Sequence, residues 1–205
     1  SGTGTGAVAK AHPKRFFDVG IAEGHAVTFA AGLATRGVRP VVAIYSTFLQ
    51  RAYDNIIHDV ALQHLPVIFC MDRAGLVGED GETHMGLYDI AYMLAVPGMA
   101  VVAPKDGAEM LALLRTGLAH DAGPFAMRYP RATVPAPVPT VAEIPPVPFG
   151  TWEVVRRVPG GAEVAILAVG TMVVPAVEAA ASLAAEGLDV SVVNCRFLKP
   201  YDELT

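Results

Sequence analysis

Short apolar runs separated by stretches of helical period recur along the whole chain, and this alternation leaves few folds open. Val38 to Tyr45, Pro66 to Met71, Met99 to Pro104 and Phe125 to Arg131 read as strands. Between them, residues 47–62, 88–94 and 106–119 place apolar side chains at helical spacing. A continuous apolar run, as opposed to an alternating one, belongs to a strand buried on both faces, and parallel sheets produce such strands. Strand, helix, strand in repetition predicts an α/β fold, a parallel sheet with helices on both faces. Residues 132–150 are rich in proline (Pro135, Pro137, Pro139, Pro145, Pro146, Pro148), which predicts an extended, semi-rigid linker. Beyond it, Trp152 to Arg157, Glu163 to Val169 and Leu188 to Asn194 read as strands around an Ala-rich helix, Thr171 to Ala185. The expected division is a domain over 1–131, a linker over 132–150 and one incomplete βαβ unit over 151–205.

The stretch Asp18-Val-Gly-Ile-Ala-Glu23-Gly-His25-Ala-Val-Thr-Phe-Ala-Ala-Gly32-Leu places a carboxylate at the mouth of an otherwise apolar segment. Arg15 to Val19 reads as the end of a short strand. The helix that follows has so little polar surface that burial on most sides is expected. Glu23 lies near its start, where the macrodipole favours a negative charge. A lone Glu there is ordinarily a helix-end residue. On a helix this apolar it is expected to face a pocket or a partner. Asp106-Gly-Ala-Glu109 has the spacing of a capping box.

Composition narrows the class. The chain has 205 residues, 53% hydrophobic and 17% charged, enough to fill a large core and too apolar for disorder. A net charge of −5 gives no support for a nucleic-acid backbone or an anionic membrane as partner. Cys70 and Cys195 lie in apolar runs and read as buried thiols of a reducing compartment. No apolar run reaches the roughly 18 residues of a membrane span, and no signal segment is visible, so a cytoplasmic protein is expected. Gly2, Gly4 and Gly6 follow no strand and precede no P-loop Lys, so they read as a loop running into a short helix.

Three clusters carry possible chemistry. Tyr45-Ser-Thr-Phe48-Leu-Gln-Arg51 sits at the C-terminal end of a strand, where ligands bind in open α/β sheets. Read alone, Phe48 is a core aromatic and Arg51 a surface charge; in a site, Phe48 stacks on a flat heterocycle while Tyr45 and Arg51 reach anions. The polar loop 73–87 contains Gly78-Glu-Asp80-Gly-Glu-Thr-His84, a proton-transfer group on a Gly-rich backbone. Its acidic spacing does not fit an EF-hand, and no metal ligands are assigned. Arg73, Arg128 and Arg131 lie at strand ends, where arginines suit bidentate phosphate binding; Arg128 by itself reads as surface charge. His25 either orients Glu23 or packs beside a ligand. His58 and His64 read as structural, His12 and His120 as exposed.

The 18–34 stretch resembles the pyrimidine-binding domain of the transketolase-like thiamine-diphosphate enzymes. Tyr45-Ser-Thr-Phe-Leu-Gln-Arg-Ala-Tyr-Asp, Met71-Asp-Arg-Ala-Gly-Leu-Val-Gly and Arg128-Tyr-Pro-Arg resemble the 1-deoxy-D-xylulose-5-phosphate synthase branch of that group. The resemblance implies that Glu23 hydrogen-bonds the cofactor's aminopyrimidine and activates it. It implies that Phe48 packs on that ring, with Ile21 and Arg51 also on the cofactor. Tyr45, Arg73, Asp80, His84 and Arg131 would bind substrate: Asp80 a hydroxyl, Arg73 and Arg131 the phosphate of glyceraldehyde 3-phosphate, with His84 assisting proton transfer. The implied reaction condenses pyruvate with glyceraldehyde 3-phosphate and releases carbon dioxide, on thiamine diphosphate held by Mg²⁺.

These enzymes anchor that Mg²⁺ through Gly-Asp-Gly followed downstream by Asn, a pattern absent from these 205 residues. The expected partner is therefore a diphosphate-binding domain outside this chain, which alone would be inactive and in the enzyme would form a homodimer. The last 55 residues would be the opening of the family's C-terminal domain, cut short. Transketolase and a 2-oxoacid dehydrogenase β-type subunit remain alternatives, as does a non-catalytic scaffold module.

Overall fold

The structure is a computed structural model that describes residues 2–134, 140–161 and 164–204. Its elements are, in order, α1 (Gly6–Ala11), α2 (Glu23–Ala34), β1 (Val41–Tyr45), α3 (Ser46–Leu49), α4 (Tyr53–Asn55), β2 (Ile68–Asp72), α5 (Asp89–Leu94), β3 (Ala100–Val102), α6 (Gly107–Ala119), β4 (Phe125–Arg128), β5 (Glu153–Arg156), β6 (Val164–Ala168), α7 (Val173–Ala185), β7 (Val190–Asn194) and β8 (Phe197–Lys199). They gather into two compact units. One holds the residues up to Met99 with Asp121–Arg131; the other holds Ala100–His120 with the described residues from Ala132 onward.

In the first unit β2 is central. It pairs parallel with β1 (Val41 opposite Ile68) and with β4 (Ile68 opposite Phe125). All five residues of β2 are buried, as a parallel strand flanked on both sides requires. Phe69, Phe125, Leu49, Ile56 and Val27 have at most 1% of their surface exposed, and each such side chain contributes about 1.5–3 kcal/mol of burial. β1 pairs on one side only among the described residues, and Val41 is half exposed, so the expected fully buried strand is an edge strand.

Several expectations change on contact with tertiary structure. Arg15 to Val19 is not a strand: Pro13–Arg15 form one 3₁₀ turn, and residues 16–20 run without a ladder. Phe16, Phe17, Asp18 and Val19 instead line an open hollow with His25 and Phe29. α2 buries a single stripe, Glu23, Val27, Ala30, Ala31 and Ala34; His25 and Thr28 on the other side are exposed. The helix expected over 47–62 is composite. It runs α to Leu49, 3₁₀ over Gln50–Ala52, α over Tyr53–Asn55 and π over Ile56–Ala61. Its apolar period is correct, but Ala52 leaves helical geometry (φ −108°, ψ 15°), and the widened π turn then lets Ile56, Val60 and Ala61 all reach the core.

In the second unit β6 and β7 are parallel and flank the helix α7, giving the expected βαβ. β7 also takes β5 antiparallel, and β3 pairs antiparallel with β8, a strand the sequence reading does not include. α7 packs Val173, Ala176 and Ala180 against Val190 and Val192. The capping box of α6 is half formed. Asp106 accepts from the Glu109 amide at 2.8 Å, but Glu109 turns its own carboxylate to the Lys105 amide (2.7 Å) and to Asn194 (2.8 Å). The proline-rich stretch is anchored in its second half. Ile144 and Val147 are buried, the Ile144 carbonyl accepts from Arg115, and Thr116 donates to the Val147 carbonyl at 2.6 Å. Pro135, Pro137, Pro139 and Glu163 lie outside the described residues. His120, expected to be exposed, is half buried and stacks on Phe149 with ring centroids 4.5 Å apart.

Candidate active site

The C-terminal ends of β1, β2 and β4 and the start of α2 bring the candidate residues of the first unit together. β1 ends at Tyr45 and the chain turns directly into α3, which carries Phe48 one turn on. Tyr45 and Phe48 stack with centroids 5.3 Å apart. Glu23, the first residue of α2, is 8% exposed, and its Oε1 accepts from Nη1 of Arg51 at 2.9 Å. The Arg51 guanidinium also lies over the Phe48 ring, 4.8 Å from its centroid. His84, on a 3₁₀ turn over Glu82–His84, meets Phe48 edge-on at 5.1 Å and Tyr45 at 6.1 Å. Its Nδ1 is 2.9 Å from the Thr83 hydroxyl.

Arg73 follows β2 in the left-handed region (φ 61°), rare for a side chain this large and a local strain the fold holds in place. Its backbone amide and guanidinium both donate to Asp72 (2.7 and 2.5 Å), and the guanidinium lies 3.8 Å over the Tyr45 ring. Asp80 bridges two arginines: Arg73 Nε donates to Oδ2 at 2.7 Å and Arg131 Nη1 to Oδ1 at 2.8 Å. The hydrogen bond from Arg73, with that from Arg131 behind it, holds the Asp80 carboxyl below the usual carboxylate range. Glu79 adds a second contact to Arg131 at 3.0 Å.

The loop that carries Glu79, Asp80 and His84 is tied at its neck. Gly75 N donates to Gly86 O (2.8 Å), and Gly86 N donates back to Gly75 O (2.9 Å). A Cβ on Gly86 would meet the Arg73 carbonyl and lie 2.5 Å from the Ser46 hydroxyl, so only glycine fits there.

Of the expected site residues, Glu23, Tyr45, Phe48, Arg51, Arg73, Asp80, His84 and Arg131 are linked by contacts. Ile21 is 91% exposed on the approach to α2 and touches none of them by ring or polar contact. Arg128 is not surface charge: it pairs at 2.9 Å with Asp89, which is 1% exposed and also receives the Ile90 amide. Asp72 and Glu79 were not singled out by the sequence reading; the Asp-Arg pair at the strand end was the available signal for the first. Among the described residues, no group of three or more His, Cys, Asp or Glu is placed to hold a metal ion, and no helix is long and apolar enough to cross a membrane.

Comparison with known proteins places this geometry. Residues 1–137 match the family model "Transketolase, pyrimidine binding domain", and residues 150–205 match "Transketolase, C-terminal domain". Among curated relatives, 1-deoxy-D-xylulose-5-phosphate synthase of Thermomicrobium roseum is 57% identical over 98% of this chain and 31% of its own length. One from Geobacter sulfurreducens is 54% identical with the same coverage. The chain thus spans about a third of the length of the curated relatives it matches. Of solved structures, a split-gene transketolase, an inactive β4 tetramer, superimposes with a TM-score of 0.83 at 34% identity, over 98% of this chain and 63% of that one. A Pichia stipitis transketolase, at 22% identity and a TM-score of 0.68 over 80% of this chain and 24% of its own, shares the fold. By these matches the chain belongs to the transketolase family, of which it carries the pyrimidine-binding domain and a part matching the C-terminal domain.

Proposed function

We propose that this chain is the pyrimidine-binding part of a thiamine-diphosphate enzyme that condenses pyruvate with glyceraldehyde 3-phosphate to 1-deoxy-D-xylulose 5-phosphate, releasing carbon dioxide, as its relatives are named to do. The observation that carries the reading is the position of Arg51. Its planar guanidinium lies on the Phe48 face and donates an N–H to Glu23. These are the two contacts an aminopyrimidine ring requires: an aromatic face and a carboxylate at a ring nitrogen. The residues present therefore fit the cofactor's flat end.

Thiamine diphosphate, when bound, supplies the electron sink for carbanion chemistry. The chain's own residues do the rest. Glu23, largely withdrawn from water at the positive end of α2, would take the ring nitrogen as its hydrogen-bond partner when the cofactor is bound. Phe48 would fix the plane of the ring; Arg51, which now lies on that face, would swing aside to border the ring with Ile21, and Tyr45 would line the substrate side. Arg73 and Arg131 hold the aldehyde's phosphate; each already gives one N–H to an oxygen of the Asp80 carboxylate, an anion clamped between the two guanidiniums. Asp80 takes a substrate hydroxyl, and His84 moves a proton at the acceptor carbonyl. The Mg²⁺ ligands belong to a diphosphate-binding domain outside this chain. We assign residues 1–131 to the pyrimidine domain, 132–150 to the connection and 151–205 to the C-terminal domain. The enzyme acts as a homodimer in the cytoplasm.

The test is product formation from the two substrates by the full-length protein with thiamine diphosphate and Mg²⁺, alongside Glu23→Ala. The reading expects product with the natural sequence and none with the variant. Activity that survives Glu23→Ala would sink it. The split-gene neighbour favours a second reading, a transketolase-type subunit that works with a separate diphosphate subunit. Turnover of ketose donors in place of pyruvate in the same assay would select it.

A further inference from the structure

Beneath the Arg51–Glu23 pair, the polar side chains of Thr28, Asn55 and Asp59 lie along the junction of α2 with the composite helix. Arg51, Asn55 and Asp59 all turn toward α2, as their contacts with Glu23 and Thr28 show. Arg51 meets Glu23 at 2.9 Å. Asn55 Nδ2 donates to the Thr28 hydroxyl (3.1 Å) and to Asp59 Oδ2 (3.3 Å). The Thr28 hydroxyl donates to the same Asp59 oxygen at 2.5 Å. The other oxygen of Asp59 sits 2.8 Å from His58 Nδ1. Above this, Asn55 Oδ1 would stand 3.0 Å from a Cβ on Gly24, the residue after Glu23. The absence of a side chain at Gly24 is what lets Asn55 press on the first turn of α2.

The seam runs along the edge of the core: Thr28 is exposed, and Asn55 and Asp59 are half buried. Val27, Ala30, Ile56 and Val60 on adjoining positions are apolar and fully packed. Polar contacts between helices fix register, since a hydrogen-bond pair has one satisfying alignment where apolar packing has several. The π turn that begins at Ile56 sets the exit of this helix, and Asp59 lies inside it. One consequence follows for the site: the register of α2 against the composite helix decides where its first residue points.

We propose that Thr28, Asn55 and Asp59 are positioning residues for Glu23, setting the direction in which its carboxylate is presented to the cofactor ring. The inference rests on the cofactor reading above. Thr28→Val keeps the shape and removes the hydroxyl; Asp59→Asn keeps the shape and removes the charge that gathers the seam. In the full-length protein loaded with thiamine diphosphate and Mg²⁺, the rate of deuterium exchange at the cofactor's reactive carbon reports Glu23 directly. A misplacement of this kind lowers it about tenfold or more. Calorimetric affinity for thiamine diphosphate should weaken as well, and Thr28→Ser should restore both. Melting temperatures of the cofactor-free variants, measured in parallel, identify a purely structural role. Exchange and affinity unchanged in Thr28→Val and Asp59→Asn, while Glu23→Gln abolishes exchange, would overturn the seam and leave the cofactor reading intact. Losses that track the melting temperature across all variants would overturn it too. Exchange that survives Glu23→Gln would remove both readings together.

Discussion

His58 and Asp59 shift each other in opposite directions. The His58 pKa is raised from 6.5, first by its hydrogen bond to Asp59 and then by that residue's charge. The Asp59 pKa is lowered from 3.8, first by His58 and next by the Thr28 hydroxyl. The sign for His58 is that of a raised group: its stabilisation is complete below 6.5 and is lost as pH rises through the folded value. Asp59 is the reverse, complete above 3.8 and lost as pH falls through its folded value. The pair is therefore fully formed between these limits. An NMR titration of His58 should give a midpoint above 6.5 that returns toward it in Asp59→Asn. Arg128 makes a different residue-scale case. Removing it leaves Asp89 charged and buried without its partner. Arg128→Ala should cost about 3–5 kcal/mol of unfolding free energy in urea. Burial alone pushes the Cys70 thiol up to about 12. Iodoacetamide should leave Cys70 unmodified in the folded chain and label it once the chain is unfolded. These environments were only partly readable beforehand. Cys70 sits in a plainly apolar run, whereas nothing near Arg128 in sequence announces a carboxylate 39 positions away.

At the scale of elements, the parts legible in sequence were those fixed by local pattern: α2, β2, α5, α6 and the βαβ of the second unit all fall where period and apolar runs put them. What was not legible depended on partners far along the chain. β8 is three residues long and exists because β3 pairs with it. The stretch at Arg15 has strand-like composition but no ladder to join. The breaks within 46–61 answer to core packing and not to any Gly or Pro. Glu109 abandons its capping role for Asn194, 85 positions on. Asp106 still caps, and Asp106→Ala should cost about 1 kcal/mol, read as a lower melting temperature. The loop at 76–85 offers a functional test at this scale. Because Asp80 occupies the guanidiniums of Arg73 and Arg131, an incoming phosphate must compete with it. Asp80→Asn should bind inorganic phosphate several-fold more tightly by calorimetry, and Arg73→Ala should bind it less tightly.

For the molecule as a whole, on the proposed reading the first unit supplies the pyrimidine half of the site, and no metal-binding cluster lies among its described residues. The polypeptide tested alone should not decarboxylate pyruvate with thiamine diphosphate and Mg²⁺; addition of a diphosphate-binding domain should restore carbon dioxide release. The candidate residues were legible in sequence as contiguous motifs: Tyr45, Phe48 and Arg51 within seven positions, Arg73 beside Asp72, and Asp80 four residues before His84. Their mutual contacts were not legible. That Arg51 would bond Glu23 follows from α2 packing against the composite helix, and that Asp80 would join two arginines follows from β2 and β4 lying side by side.

The two-bond neck between Gly75 and Gly86 has a mechanical corollary. The two feet of the loop are fastened to each other, and what holds the tip from Gly78 to Glu82 is the ion pairs of Glu79 and Asp80 with Arg73 and Arg131. A protease cut between Gly81 and Glu82 would leave two polypeptides still held in register by β2 and β4, with Asp80 and His84 on opposite sides of the break. Such a nicked protein would keep Glu23, Phe48 and Arg51 together, and Asp80 on its two arginines, while His84 would depend on its ring contacts with Phe48 and Tyr45 alone.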